Sequence, residues 1–173
     1  MSFITFFSSP AAIIVIGLLL AFFKKTRSFG LAFLISITVG ALLTNCCLKL
    51  LIARPRPYAD EASIYHRFWL LVGQHMESDN SFPSGHTTGA FAAMTAIYLR
   101  CDRKWSWLAY VYAVLVAISR IYLCVHYPSD VVVGVIVGLF AGFVGTYIAV
   151  KLPRAAYEFD FFHIKKGKHM IVE

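Results

Sequence analysis

Three short polar clusters interrupt an otherwise apolar chain, and their residue types suit phosphate chemistry. The first holds Lys49, Arg54 and Arg56, the second is Pro83-Ser84-Gly85-His86, and the third, Ser119 to Asp130, contains Arg120, His126 and Asp130. His126 and Asp130 are four residues apart, so one helical turn brings them together. An imidazole held by a carboxylate has a fixed tautomer and raised basicity, ready to act as base or nucleophile. Arginine inside an apolar run is costly and marks a functional position. The Arg120 guanidinium offers a planar fork of donors suited to phosphate. Lys49 and Arg56 add charge to balance a bound phosphate, and Ser84 adds a hydroxyl. The N–H groups of Gly85 and His86 fall at a helix start, which is an anion site. Pro83 fits such a start, and Gly85 lets the backbone approach an anion closely. Two histidines remain, one with a carboxylate partner and one after the anion-binding turn. A nucleophile and an acid on opposite sides of a phosphorus are what in-line displacement needs. Arg54 is read as marking a span end, outside the site. Glu61, His66, His75, Glu77 and Asp79 are read as solvated loop residues without a role.

The elements that must position these residues are membrane spans. Of 173 residues, 59% are hydrophobic and only 14% charged, which excludes an ordinary soluble domain. The apolar residues come in blocks of about 20, the length that crosses a bilayer core. An all-α integral membrane bundle of about five transmembrane helices follows, with residues 1–173 forming one membrane-embedded domain. The spans are expected at Phe3–Phe23, Ser28–Ala53, Pro83–Leu99, Trp105–Val125 and Ser129–Val150. A polar loop covers about 54–82, with a short amphipathic helix at Ala62–Val72 and Trp69 as an interfacial anchor. Gly134, Gly138, Gly142 and Gly145 are spaced to make one small-residue face. The net charge of +7 sits between apolar blocks, where it sets topology and implies no nucleic-acid partner. Lys24, Lys25, Arg27, Arg100, Arg103, Lys104 and the basic tail 151–173 mark the cytoplasmic side, placing the N-terminus outside and the C-terminus inside. All three polar clusters then fall on the extracytoplasmic face. The four cysteines lack metal-ligand spacing and read as unpaired small apolar residues. No basic residue precedes the first apolar block and no small-residue cleavage pattern follows it, which argues against a removable signal peptide.

The combination resembles the type 2 phosphatidic acid phosphatase superfamily, which also contains the vanadium haloperoxidases. The family pattern of Lys, six residues and Arg-Pro is met by KLLIARPRP, Lys49 to Pro57. The Pro-Ser-Gly-His element is Pro83 to His86. Ser-Arg, five residues, His, three residues and Asp is met from Ser119 to Asp130. The resemblance implies a helical bundle that cleaves phosphate monoesters or pyrophosphates of membrane lipids without a metal or other cofactor. It implies that His126 is the nucleophile and forms a phosphohistidine, that Asp130 orients it, and that His86 protonates the leaving oxygen and then activates water. Lys49, Arg56, Ser84, Gly85, His86 and Arg120 would hold the phosphate. Many membrane members have six spans, so the expected five is a departure.

The leading expectation is a lipid phosphatase in a bacterial inner membrane, its site on the extracytoplasmic side and its lead substrate undecaprenyl diphosphate. Phosphatidic acid, phosphatidylglycerol phosphate and lipid A phosphates are the alternatives. A vanadate haloperoxidase would use the same cradle but is soluble in the family's pattern. A non-catalytic lipid-phosphate binder or transporter would need no nucleophile.

Overall fold

The computed structural model describes residues 9–101, 103–153 and 155–158, and within them the secondary structure is entirely helical. Helix α1 spans Pro10–Phe22, capped by the Ser9 hydroxyl, which accepts from the Ala12 N–H. Helix α2 spans Arg27–Ala41, runs without a break into a π-helical segment at Leu42–Leu48, and resumes as α3 at Lys49–Ile52. Ala53, at φ 45°, ends it. A 3-10 turn at Pro57–Ala59 and helix α4 at Ile64–Leu71 occupy the polar loop. Helix α5 is Gly85–Arg100, α6 Arg103–Ser106, α7 Leu108–Tyr122, α8 Pro128–Lys151 and α9 Ala155–Glu158.

Helix α8 sits against both α5 and α2, and its small-residue face explains how. A Cβ on Gly138 would come within 2.6 Å of Phe91 Cβ, one on Gly142 within 2.3 Å of Thr95 Cβ, and one on Gly145 within 2.4 Å of Ser36 Cα. Those glycines let the backbones touch, as membrane helices without a hydrophobic driving force require. The Ser36 hydroxyl also donates to the Gly142 carbonyl at 3.3 Å. On the same helix Val132, Ile136, Phe140, Phe143 and Tyr147 point outward and are exposed. An apolar outer surface with small residues inside is the pattern of a bilayer-embedded helix, the reverse of a soluble one.

Arg27–Ala59, Lys104–Tyr122 and Pro128–Lys151 are long and apolar enough to cross a membrane. That is three of the five expected spans. Helix α5, with 16 residues, rises about 24 Å, short of a hydrocarbon core of about 30 Å. The first expected span begins before the described residues, and its described part, α1, has 13 residues. Most of the basic tail lies outside the described residues. At the end remote from the polar clusters, Arg100 bonds the Ser28 hydroxyl. There too Arg27 donates to the carbonyls of Ala21 at 3.0 Å and Tyr157 at 3.3 Å. The expected helix at 62–72 is present, but Trp69 is not an interfacial anchor. It is buried, stacks on Tyr58 with centroids 4.8 Å apart, and donates its indole N–H to the His75 carbonyl at 2.8 Å. Ile64, Phe68, Leu70 and Leu71 are the exposed aliphatic and phenyl side chains of that helix. Trp69 instead organises the loop from within.

Candidate active site

The ends of α3, α5, α7 and α8 meet at one end of the bundle, and each supplies a piece of the site. Pro128 starts α8, and Asp130 in its first turn accepts the Tyr127 N–H at 3.0 Å on Oδ2, closing the helix start. The same Oδ2 accepts the Ser81 hydroxyl at 2.5 Å, and Oδ1 accepts Arg54 Nη1 at 2.8 Å. Asp130 is fully buried, and these donors together hold its carboxylate in one orientation.

His126, also buried, lies in the tight turn between α7 and α8. Its Nδ1 is 3.7 Å from Asp130 Oδ2, an ion-pair separation rather than a hydrogen bond. Its Nε2 is 3.0 Å from Arg56 Nη1. A guanidinium can only donate, so Nε2 accepts and the proton of the neutral ring sits on Nδ1, facing Asp130. Burial pushes the His126 imidazole below its ordinary pKa, Asp130 opposes this, and the Arg56 charge adds to it. The ring is therefore neutral at pH 7, with a lone pair on Nε2, as a nucleophile requires.

Arg56 is locked from several sides. Nη1 also donates to the Val125 carbonyl at 2.8 Å, and Nε donates to the Asp79 carbonyl at 2.9 Å. Lys49 and Arg56 both pair with the Asp79 carboxylate. Burial raises the Asp79 pKa, but the Lys49 and Arg56 charges outweigh it and hold the carboxyl below the usual range. Arg120, 1% exposed, reaches Glu77 Oε1 at 3.5 Å. The same oxygen lies 4.0 Å from His86 Nδ1.

Ser84 caps α5. Its Oγ accepts from the Thr87 N–H at 3.4 Å and from the Thr87 hydroxyl at 2.9 Å, which leaves its own O–H free to donate. The Ser84 N–H donates to the Asp130 carbonyl at 3.1 Å, so the turn at the start of α5 and the start of α8 are stitched together. Gly85 leaves its space open, with Lys49 Nζ 3.8 Å from where a Cβ would stand. A cavity of about 220 Å³ is lined on its polar side by Lys49, Arg56, Gly85, His86 and His126, with Glu77 and Asp79. It continues between α1, α2 and α5 past Ile13, Ile37 and Gly40.

Lys49, Arg56, Gly85, His86 and His126 thus line one cavity. Asp130 stands behind His126, and Ser84 and Arg120 are buried beside it. Three residues left out of the site by the sequence reading belong to its geometry. Arg54 is not merely a span end: it fixes Asp130, donates to the Ser129 hydroxyl at 2.8 Å, and lies 3.9 Å over the Tyr127 ring. Glu77 and Asp79, read as loop residues without a role, are partly exposed but face the cations Arg120, Lys49 and Arg56. The available signal was charge balance, because four converging cations in an apolar setting call for counter-charge.

An all-helical bundle that gathers two histidines, a buried carboxylate and several cations at its end defines a phosphate-handling membrane protein. The chain belongs to the PAP2 superfamily, whose family model matches residues 29–154. It is 33% identical over 131 residues to an undecaprenyl-diphosphatase of Sulfolobus acidocaldarius, covering 75% of this chain and 60% of that protein. It is 34% identical over 145 residues to the undecaprenyl-diphosphatase BcrC of Bacillus subtilis, covering 83% of this chain and 70% of that protein. In three dimensions it matches the crystal structure of a transmembrane PAP2-type phosphatidylglycerolphosphate phosphatase from Bacillus subtilis. That match has a TM-score of 0.64 and 31% identity and covers 88% of this chain and 76% of that one. The chain thus spans 60% of the length of the first of these relatives and 70% of the second.

Proposed function

We infer that this protein hydrolyses the terminal phosphate of a membrane lipid phosphate or pyrophosphate, with undecaprenyl diphosphate as the lead substrate. The observation that carries this reading is the cavity that Lys49, Arg56, Gly85, His86 and His126 share, with Asp130 behind His126. Lys49, Arg56 and Arg120, with the Ser84 hydroxyl and the α5 N–H groups, bind the phosphoryl oxygens and stabilise the charge that builds on them. His126 Nε2 attacks phosphorus, a P–N bond forms, and the bridging P–O bond breaks on the far side. His86 gives its proton to the leaving oxygen. Asp130 holds the Nδ1 proton and stabilises the ring as it gains positive charge. Water then attacks the phosphohistidine, His86 takes its proton, and phosphate departs. The balance needs water alone.

Undecaprenyl diphosphate leads because it is the substrate in the names of two relatives and because an outward-facing site suits a carrier lipid recycled outside the cell. A phosphatidylglycerol phosphate activity is the second reading, favoured by the structural match. The outward apolar faces of the spans support a lipid rather than a soluble substrate and a place in the inner membrane of a bacterium. The test is phosphate release from undecaprenyl diphosphate and from phosphatidic acid, side by side in detergent with a chelator. The wild type should release phosphate, and His126→Ala should lose at least about a thousandfold. Full release by that variant would refute the reading.

A further inference from the structure

The π-helical segment Leu42–Leu48 interrupts a membrane helix beside the site, and such bulges frequently occur at functional positions. Threonines in apolar helices normally return their hydroxyl to the carbonyl one turn back. Thr38 does so to Leu34 at 2.9 Å and Thr95 to Phe91 at 2.7 Å. Thr44, Thr88 and Thr146 do not: each has a buried Oγ1 with no hydrogen-bond partner, and of the three only Thr44, 1% exposed, lines the cavity. Within the π segment the Thr44 carbonyl accepts the Lys49 N–H, five residues on. Thr44 lines the cavity together with Asn45, Lys49 and Gly85. Its methyl would stand 3.9 Å from a Cβ on Gly85, so it borders the anion-binding turn. A buried hydroxyl without a partner is costly unless a ligand completes it.

We propose that Thr44, with Asn45 beside it, is a specificity-determining subsite for the second phosphate of a lipid diphosphate. The inference rests on the phosphatase reading and narrows it. With the terminal phosphoryl group between His126 and His86, the leaving oxygen points away from His126, along the cavity toward Gly89, Thr44 and the apolar stretch at Ile37. In a diphosphate the group at that place is a phosphate with two further oxygens. A hydroxyl and an amide are neutral donors that can receive them without binding a free anion strongly. In a monoester the same place holds an alkyl carbon, which leaves both donors unused.

Farnesyl diphosphate and farnesyl phosphate differ by that one phosphate and share a tail. The quantity to measure is the ratio of their kcat/KM values for the full chain in detergent. Thr44→Val should lower the ratio of diphosphate to monophosphate about tenfold, as loss of a hydrogen bond to a charged group does. Thr44→Ser, which keeps the hydroxyl, should retain the ratio. Asn45→Leu, at an exposed side chain, should lower it too and guards against a folding defect in the first variant. An unchanged ratio in both Thr44→Val and Asn45→Leu would overturn the subsite, even if both substrates slowed together. No release from either substrate by the wild type would overturn the phosphatase reading itself, and the subsite with it.

Discussion

At the scale of single residues, the site holds its own phosphate mimic. The Asp79 carboxylate takes Lys49 and Arg56 at once, and Arg56 lies across the lone pair of His126 Nε2. On the proposed function, a substrate phosphate would have to displace Asp79 to reach the two cations. Asp79→Asn removes the competing charge. Because the Asp79 side chain is 48% exposed, solvent screens the pair, and the gain is modest. Inhibition by phosphate or vanadate should tighten about two- to fivefold, the range of a screened ion pair. The sign of the pH dependence follows from the lowered Asp79 pKa. A carboxyl held below its ordinary value of 3.8 is ionised throughout pH 5 to 8. The ratio of inhibition constants between wild type and variant should therefore be flat across that window. Weaker inhibition in the variant would mean that Asp79 positions the cations rather than competes for them. The convergence of Lys49, His86, His126 and Asp130 at one end of the bundle was legible because each has a distinctive type at a fixed spacing. Asp79 and Glu77 were not, because a loop has no periodicity and a carboxylate in it looks like any solvated one. Arg54 was hidden by its neighbour: in Arg-Pro-Arg-Pro one arginine enters the cavity and the other goes behind it to Asp130.

At the scale of elements, the helix starts were legible and the π segment was not. Proline at 128 and the serine at 84 mark the starts of α8 and α5 by capping chemistry that depends on residue type. A π segment adds about one residue per turn, and Leu42–Leu48, with only Thr44 and Asn45 among apolar residues before Lys49, holds too few polar positions to reveal the shift. The glycine face of α8 was legible from spacing alone, and it yields a test with opposite signs. Gly145 meets the Ser36 backbone, where a Cβ would lie 2.5 Å from its nitrogen. Backbone cannot swing aside as a side-chain tip can, so Gly145→Ala should destabilise the bundle by about 1–3 kcal/mol, the cost of overpacking. At Gly89 a Cβ would meet nothing within 4 Å, so Gly89→Ala should gain stability from helix propensity, up to about 1 kcal/mol. Thermal unfolding in detergent would separate them: the melting temperature should fall for the first and rise for the second. A fall in both would mean that the α5 surface at Gly89 is covered in the assembled protein.

At the scale of the whole molecule, the charges sort to two ends. Lys49, Arg54, Arg56 and Arg120 gather where α5 and α8 begin, each facing a carboxylate. Arg27 and Arg100 lie at the other end, where Arg27 donates to the Ala21 carbonyl and Arg100 bonds the Ser28 hydroxyl. The positive-inside rule assigns the second group, with Lys24, Lys25 and Lys104 beside it in the sequence, to the cytoplasmic side, because cations at span ends interact with the anionic cytoplasmic leaflet. The site should then open outside the cell. Two exposed positions report on the two ends: Gln74 in the loop over the site and the native Cys101 after α5. In a background with the other native cysteines changed to serine, Cys101 should react with a membrane-impermeant maleimide only after lysis. With Cys101 also replaced, Gln74→Cys should react in intact cells. The reverse pattern would put the cradle in the cytoplasm. A diphosphate carrier released on the outer face would then be out of reach, and phosphatidylglycerol phosphate would become the better candidate.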